Sequence, residues 1–233
     1  MTPLFSGGRK PAVPRLVIPA YFHAADHPGE WGLLAERPAQ IRLVILNRAS
    51  GPGTSPEPAH VAALERLRAA GVAVAGYVDT DYGDRPAKQT LDDLRRYLDW
   101  YQVTAVCFDR VATDGERVGY FADVAKRARA MGARQVMFNH GTHPAQAYVE
   151  HADVLGTFEG PWSTYQDLAV PRWTLSVPKD KLYHVVHSVP PEHFLEAYRL
   201  AAHNRAGCVY ITQRTGDNPY DRLPADWHAG ETL

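Results

Sequence analysis

The sequence predicts an α/β fold, a single (β/α)8 barrel of the TIM type, from three observations. Eight short apolar runs alternate with segments of helical spacing along nearly the whole chain. The runs indicate strands buried on both faces, as in a parallel sheet, and the connections are short enough to be single crossovers. The 233 residues, 45% of them hydrophobic, suit one barrel, which typically needs about 250 residues. We therefore predict one domain over residues 1–233, with a core from about 16 to 227.

The apolar runs give the predicted strands in chain order. They span residues 16–22, 41–47, 72–78, 105–109, 135–139, 154–159, 183–187 and 208–213. An open, doubly wound sheet is the alternative. It would require a glycine-rich nucleotide-binding turn after an early strand, and none is present.

Apolar residues at helical spacing predict the helices between these strands. They span residues 58–70, 90–101, 118–131, 145–151 and 192–203. Gly71 and Gly132 follow two of them directly and are expected to end them. Pro171 and Pro178 interrupt the connection between the sixth and seventh strands, so we expect it to be irregular.

Composition and charge exclude several classes of function. The formal net charge of -1 gives no indication of a nucleic-acid or membrane-surface partner, and no apolar stretch is long enough to span a bilayer. Cys107 and Cys208 lie in separate apolar runs, so we expect two buried thiols and no disulfide framework. No apolar segment follows the early basic pair, which favours a cytoplasmic protein, or a secreted one whose signal has been removed. The first dozen residues and those after Trp227 are expected to be loosely held.

Several strands end in a carboxylate. Asp79 and Asp81 follow the third predicted strand, Asp109 ends the fourth, and Glu159 ends the sixth. The carboxyl ends of parallel strands open onto one face of a barrel, so these acids should converge there. Converging carboxylates are what hydrolysis of a glycosidic bond requires. A structural alternative remains for Asp109, which could instead form an ion pair with Arg110 or cap the next segment.

Aromatic and polar residues near the same strand ends complete the candidate site. Tyr82 and Trp162 could stack on sugar faces, and Asn139 and His187 end two further strands as candidate polar contacts. Two histidine pairs, at 140 and 143 and at 184 and 187, are spaced three residues apart, so on a strand the members of a pair face opposite ways. Neither pair matches the HExxH arrangement, and we predict no metal and no cofactor.

Eight segments together resemble the spherulation-specific family 4, or spherulin-4 family. They are VIPAYF, LNRASGPG, GYVDTDYG, FDRV, FNHGTHP, TFEG, VVHSVP and NPYDRLP, and they run from about Leu16 to Trp227. The resemblance implies a (β/α)8-type barrel with a groove at the strand ends and metal-independent glycoside hydrolysis. Fungal members of the family act on polysaccharides that contain N-acetylgalactosamine.

The family's strand-four motif is an Asp-Glu pair, and a further Glu follows on strand six. Carried over, these positions are Asp109, Arg110 and Glu159, so an arginine replaces the second acid. The family's NPGT-like turn reads NHGT here, with His140 at the proline position. Adjacent strand residues face opposite ways, so Asp109 and Arg110 should not both enter one pocket.

These features lead to a hydrolase of α-linked amino-sugar chains, expected to be monomeric, with Glu159 as general acid and Asp109 as nucleophile, base or charge stabiliser. The predicted substrate contacts are Asp79, Asp81, Tyr82, Arg110, Asn139, His140, Trp162 and His187. The second hypothesis is a carbohydrate-binding barrel that has lost activity because of Arg110. The third is a different reaction class on the same barrel, because a fold does not determine a function.

Overall fold

Eight parallel strands close into a barrel in chain order in this computed structural model, which describes residues 14–224 and residue 227. The strands are β1 Arg15–Ala20, β2 Ile41–Leu46, β3 Val74–Asp79, β4 Ala105–Asp109, β5 Gln135–Asn139, β6 Val154–Pro161, β7 Leu182–His187 and β8 Cys208–Ile211. β8 pairs in parallel with both β7 and β1, which closes the sheet. The predicted (β/α)8 fold is confirmed, and the open sheet is excluded because every strand has two neighbours.

Helices connect the strands around the outside of the barrel. The described α-helices with defined bounds are α1 Pro28–Glu36, α2 Pro58–Ala69, α3 Ala87–Tyr101, α4 Val118–Ala130, α5 Trp162–Tyr165 and α6 Phe194–His203. The segment predicted as a helix over residues 145–151 is a 3-10 helix, Gln146–Glu150. Between β6 and β7 the chain forms α5 and two 3-10 helices, Arg172–Ser176 and Lys179–Lys181, as the prolines predict.

The sequence pattern did not predict α1. Gly29 and Gly32 lie inside it, and glycine weakens an isolated helix by about 1 kcal/mol relative to alanine. Burial of Trp31 and Leu34 stabilises the helix instead, and the Trp31 indole donates a hydrogen bond to the carbonyl of Phe22 at 3.3 Å. Tertiary packing therefore outweighs local preference here.

The predicted helix ends are confirmed at two glycines. Gly71 has a φ of +77° after α2, and Gly132 has a φ of +111° after α4. Residues that carry a Cβ rarely adopt this left-handed backbone conformation, whereas glycine adopts it at no steric cost. Each glycine lets the chain reverse at once into the following strand.

Other expectations concern the core and the ends of the chain. Cys107 and Cys208 are free, buried thiols, as predicted. In the described part of the chain, no helix is both long enough and apolar enough to cross a membrane. The segments predicted to be loosely held, the first dozen residues and those after Trp227, lie outside the described residues.

Candidate active site

Polar side chains stand at the carboxyl ends of four successive strands. β3 ends at Asp79, β4 ends at Asp109 and β5 ends at Asn139. Glu159 lies near the end of β6. Because the strands run parallel around a closed barrel, these ends open onto the same face.

The side-chain amide of Asn139 lies between the two predicted catalytic acids. Its Nδ2 donates one hydrogen bond to Asp109 Oδ1 at 2.7 Å and another to Glu159 Oε2 at 2.7 Å. Since both oxygens are bound to one nitrogen, they cannot lie farther apart than twice this distance. The structure therefore brings Asp109 and Glu159 together, and we refer to these two residues as the carboxylate pair.

Two tyrosine hydroxyls complete the hydrogen bonding of the carboxylate pair. Tyr77 donates to Asp109 Oδ2 at 2.8 Å, and Tyr220 donates to Glu159 Oε1 at 2.6 Å. Each of the four carboxylate oxygens thus accepts a hydrogen bond from a neutral group. Among the described residues, neither carboxylate takes part in an ion pair.

Burial and charge act on the proton affinity of this cluster. Burial raises the pKa of Asp109, and the negative charge of Glu159 raises it further, while the hydrogen bonds from Tyr77 and Asn139 act in the opposite direction. Burial also raises the pKa of Tyr77 and of Tyr220, and the adjacent carboxylates add to the effect. Both phenols therefore keep their protons at neutral pH and remain hydrogen-bond donors.

A glycine makes room for the bridging amide. Gly156 of β6 is the register partner of Asn139 on β5. A Cβ at position 156 would lie 2.1 Å from Asn139 Oδ1, closer than real contacts allow, and 3.2 Å from Asn139 Cα, which is a tight contact. The same Oδ1 accepts a hydrogen bond from the backbone N–H of Gly141 at 3.4 Å. These contacts turn the Nδ2 side of the amide towards the carboxylate pair.

Arg110 turns away from the carboxylate pair. β4 ends at Asp109, and Arg110 follows it with a φ of +53°. Its guanidinium lies 2.9 Å from Asp79 Oδ2 and also binds Asp81 Oδ1. The same guanidinium carbon lies 4.9 Å from the centre of the Tyr82 ring. We call Asp79, Asp81, Tyr82 and Arg110 the Arg110 platform.

The loop after β3 fastens the Arg110 platform to β4. The Thr80 hydroxyl lies 2.8 Å from the carbonyl oxygen of Asp109 and 2.9 Å from that of Arg110. The backbone N–H of Tyr82 donates to the carbonyl of Arg110 at 2.7 Å. Tyr82 is 53% exposed, so its ring, which carries the Arg110 guanidinium over one face, remains open to solvent beside the strand end that carries Asp109.

Two predicted sugar contacts are buried away from the carboxylate pair. His140 follows Asn139 and faces the opposite side, where its Nδ1 lies 2.9 Å from the carbonyl oxygen of Ala112 and its ring packs 4.7 Å from that of Tyr148. Burial lowers the pKa of His140 to about 4. Trp162 is only 6% exposed, because its ring belongs to a buried apolar cluster on the outside of the barrel. Neither ring presents an open face to a sugar.

His187 lies on the rim at the end of β7, as predicted. It pairs in register with Pro161, the last residue of β6. Its Nδ1 lies 3.0 Å from the Ser188 hydroxyl, and burial lowers its pKa. The half-buried ring is therefore a neutral polar group at neutral pH.

Three tyrosines of the site were missed by sequence reasoning. The Tyr21 ring packs edge-on against Tyr77 at 5.7 Å and against Tyr220 at 5.4 Å. Tyr77 could have been found, because it precedes Asp79 by two residues and so shares its face of the strand. Tyr220 had a weaker signal, its place in the NPYDRLP segment, because nothing local links it to Glu159.

The family model described as spherulation-specific family 4 (Spherulin4) matches residues 15–230. The chain belongs to this family. Spherulin-4 of Physarum polycephalum is 26% identical over 156 residues, which make up 66% of this chain and 47% of that relative. The chain therefore spans about half the length of the curated relative it matches.

Solved structures share the fold. Sph3 of Aspergillus clavatus, in complex with GalNAc, has a TM-score of 0.78 and 24% identity, and the match covers 93% of this chain and 95% of that one. The spore cortex-lytic enzyme SleL of Bacillus cereus has a TM-score of 0.57 and 7% identity, over 92% of this chain and 73% of that one. At these identities the likeness concerns the barrel itself.

Proposed function

We propose that this protein is a glycoside hydrolase that cleaves α-linked galactosamine or N-acetylgalactosamine chains with retention of configuration. The observation that carries the proposal is the Asn139 amide, bound at once to Asp109 and Glu159. Two adjacent carboxylates on the rim of a barrel are the machinery of glycosidic-bond hydrolysis.

The spacing of the carboxylate pair supports the retaining outcome. Asp109 Oδ1 and Glu159 Oε2 each lie 2.7 Å from the same nitrogen, so they are at most twice that distance apart. Retaining enzymes hold their carboxyl groups about 5–5.5 Å apart, whereas inverting enzymes need about 6.5–9.5 Å to admit a water molecule. The nearest oxygens of the two groups do not exceed the shorter range, so the spacing favours retention.

We assign the nucleophile to Asp109 and the general acid to Glu159. As Asp109 attacks the anomeric carbon, Glu159 gives its proton to the leaving glycosidic oxygen, and a glycosyl ester of Asp109 forms. Glu159 then takes a proton from water, whose oxygen displaces Asp109 from the same carbon. Burial and the charge of Glu159 raise the pKa of Asp109. A proton on Glu159 removes that charge, so Asp109 can ionise with Tyr77 and Asn139 as donors.

The substrate class rests on the family and on the Arg110 platform. The family resemblance implies amino-sugar polymers, and Sph3 has been solved with GalNAc. The exposed Tyr82 ring can stack on a sugar face, while Asp79 and Asp81 can accept hydrogen bonds from sugar hydroxyl or amine groups. Because the Arg110 guanidinium is held by these two aspartates, it leaves the carboxylate pair free, which argues against an inactive binding barrel.

The test is turnover of α-1,4-linked galactosamine and N-acetylgalactosamine oligomers, with α-1,4-linked glucose oligomers as the control substrate. Glu159→Gln should lower the rate by about 100-fold or more, because general acid catalysis contributes about 10²–10⁴-fold. Glu150→Gln is the matched control, because Glu150 is exposed and its ion pair in the described part of the chain is with His151, away from the carboxylate pair. Equal rates for wild type and Glu159→Gln would refute the proposal.

Reaction of alanine variants with azide distinguishes the nucleophile from the general acid. If Asp109 is the nucleophile, Asp109→Ala with azide should yield the β-glycosyl azide, formed from the face that Asp109 normally occupies. Glu159→Ala should yield the α-glycosyl azide, because azide then replaces water in the second step. The reverse pattern, read by NMR of the products, would exchange the two assignments.

A further inference from the structure

We propose that His23, Glu57 and His60 form a zinc site that ties the loop after β1 to the amino-terminal end of α2. Within the described part of the chain, this is the one group of three potential metal ligands whose donor atoms all lie within 4.8 Å of one another. It belongs to the connections after β1 and β2, whereas the carboxylate pair belongs to β4 and β6.

The donor atoms already approach the geometry of a zinc site. Glu57 Oε2 lies 2.7 Å from His60 Nδ1 and 3.9 Å from His23 Nε2. A tetrahedral zinc ion with bonds of about 2.0–2.1 Å separates its ligand atoms by about 3.4 Å. Both separations are within about 1 Å of that value, so small side-chain rotations would suffice.

The arrangement goes beyond a capped helix. Glu57 caps α2, since its carboxylate accepts hydrogen bonds from the N–H groups of Ala59 and His60. The cap accounts for Glu57 and its neighbour three residues on, but not for His23. That residue comes from a different loop and brings its ring to within 4.7 Å of the His60 ring.

The surrounding structure holds two of the ligands in place. His60 is 1% exposed, and its ring packs between those of Trp31 and Tyr101, at 5.6 and 6.4 Å. The Tyr101 hydroxyl also accepts the backbone N–H of Glu57 at 3.2 Å. Ligands fixed in this way lose little conformational freedom when a metal binds.

His23 is the more open ligand, and its surroundings suit coordination through Nε2. The Ala25 N–H donates a long hydrogen bond to Nδ1 at 3.4 Å, and Asp26 Oδ2 lies 4.0 Å from the same nitrogen. With Nε2 on the metal, Nδ1 carries the proton, so the Ala25 hydrogen bond is lost and Asp26 becomes the acceptor of Nδ1. The His23 side chain is 37% exposed, so water can take the fourth position. Two imidazoles and one carboxylate favour zinc over magnesium or calcium, which prefer oxygen ligands.

Zinc here would stabilise the loop after β1, which adjoins the candidate active site, without taking part in the chemistry of that site. His23 follows Tyr21 by two residues, and the Tyr21 ring packs against Tyr77 and Tyr220, which bind the carboxylate pair. We therefore expect the main effect of the metal on thermal stability. This inference is independent of whether the protein hydrolyses sugars.

The experiment titrates the chelator-treated full chain with zinc chloride by calorimetry and measures Tm with zinc or magnesium. We expect one zinc ion per chain and a higher Tm with zinc alone. Co²⁺ should give the visible absorption of a tetrahedral site. His23→Gln should weaken zinc binding by more than about 100-fold, since even the outer partners of a ligand contribute about 10–100-fold. It should change the Tm of the metal-free protein much less than zinc changes the Tm of wild type, because the His23 side chain is 37% exposed.

His193→Gln is the matched control. His193 also faces a glutamate three residues on, with its Nδ1 2.8 Å from Glu196 Oε2, and neither belongs to a group of three ligands in the described structure. Its zinc affinity should equal that of wild type. Glu57→Gln is the second variant, because it keeps a carbonyl oxygen for the helix cap while removing the charge. The proposal is overturned if zinc does not bind saturably, or if it binds His23→Gln and Glu57→Gln as tightly as wild type.

Discussion

Two groups of acidic residues lie on the same rim of the barrel, and their partners differ. In the carboxylate pair, Asp109 and Glu159 receive hydrogen bonds from an amide and two phenols, all of them neutral. In the Arg110 platform, Asp79 and Asp81 share a positively charged guanidinium. The platform is also more open, since the side chain of Arg110 is 42% exposed.

From this difference we assign the chemical step to the carboxylate pair and substrate binding to the Arg110 platform. Neutral donors orient the half-buried carboxylates but leave their charge uncompensated, so the pKa of Asp109 is raised by burial and by Glu159. Such donors hold Asp109 in position for attack without neutralising the negative charge that makes it a nucleophile. The guanidinium of the platform cancels charge at the surface instead, which suits a surface that holds a sugar in position. The following substitutions test this division, from the largest expected effect to the smallest.

Asn139→Asp should have the largest effect. It replaces the shared donor with a third carboxylate between Asp109 and Glu159, so like charges would face one another in a buried site. We expect turnover to fall by more than about 100-fold, the loss typical when one preorganised donor is removed from an active site. Asn139→Ala separates the lost donor from the added charge. Near-normal turnover in Asn139→Asp would contradict the role of the bridge.

Tyr77→Phe tests whether neutral donors control the proton affinity of Asp109. The Tyr77 hydrogen bond lowers the pKa of Asp109, so its loss should raise that pKa further and move the acid limb of kcat/KM to higher pH. We expect a loss of about 10–100-fold at neutral pH, because a hydrogen bond to a charged group contributes about 1.5–3 kcal/mol. Tyr220→Phe is the comparison, since its hydroxyl binds Glu159. An unchanged acid limb in Tyr77→Phe would contradict this account.

Asp109→Asn should stabilise the fold at pH 7, whereas Asp79→Asn should not. The pKa of Asp109 is higher in the folded protein than in the unfolded one, so this carboxyl favours folding while it is protonated. That contribution is fully present below the unfolded pKa of about 3.9, and it is lost as the pH rises through the folded-state pKa. Removing that charge should stabilise the fold by about 1 kcal/mol, or about 2–4 °C in Tm. Asp79→Asn breaks an ion pair and should be neutral or slightly destabilising. Equal changes in Tm for the two variants would contradict the proposed difference between the carboxylate pair and the Arg110 platform.

Arg110→Ala should have the smallest effect on the chemical step. If the platform positions substrate, KM should rise several-fold while kcat stays within about twofold, because uniform binding is lost. The free energy of unfolding should change by less than about 1 kcal/mol, as for other exposed ion pairs. Arg117→Ala is the control, because Arg117 forms a comparable exposed pair with Asp84. A large fall in kcat would show that Arg110 acts on the carboxylate pair after all.

Local patterns were enough to predict much of the barrel. β4 and β5 have the bounds predicted from their apolar runs, and the glycines at 71 and 132 end their helices as expected. These features depend on neighbours in sequence: side-chain alternation, helical spacing and the backbone freedom of glycine. The same reasoning placed Asp109 and Glu159 on one rim, because parallel strands share a direction.

Other features depend on contacts that sequence spacing does not encode. The hydroxyl of Tyr220 reaches Glu159 across 61 residues, and the Asn139 amide reaches both acids only because Gly156 leaves room for it. The direction of Arg110 follows from a positive φ just after β4, which a strand pattern cannot predict. His140 and Trp162 were predicted as sugar contacts, but both side chains are buried. Their burial depends on neighbours that are distant in sequence.

The amino-acid sequence by itself determined the barrel, the family and the positions of the two acids on one rim, because strand length, alternation and helix ends are local properties. Only the tertiary structure decided that one amide joins Asp109 to Glu159 and that Arg110 stands apart with two aspartates. The physical reason is that hydrogen-bond partners and burial, which control the proton affinity of a carboxylate, come from residues on several strands and loops that meet only in the closed barrel.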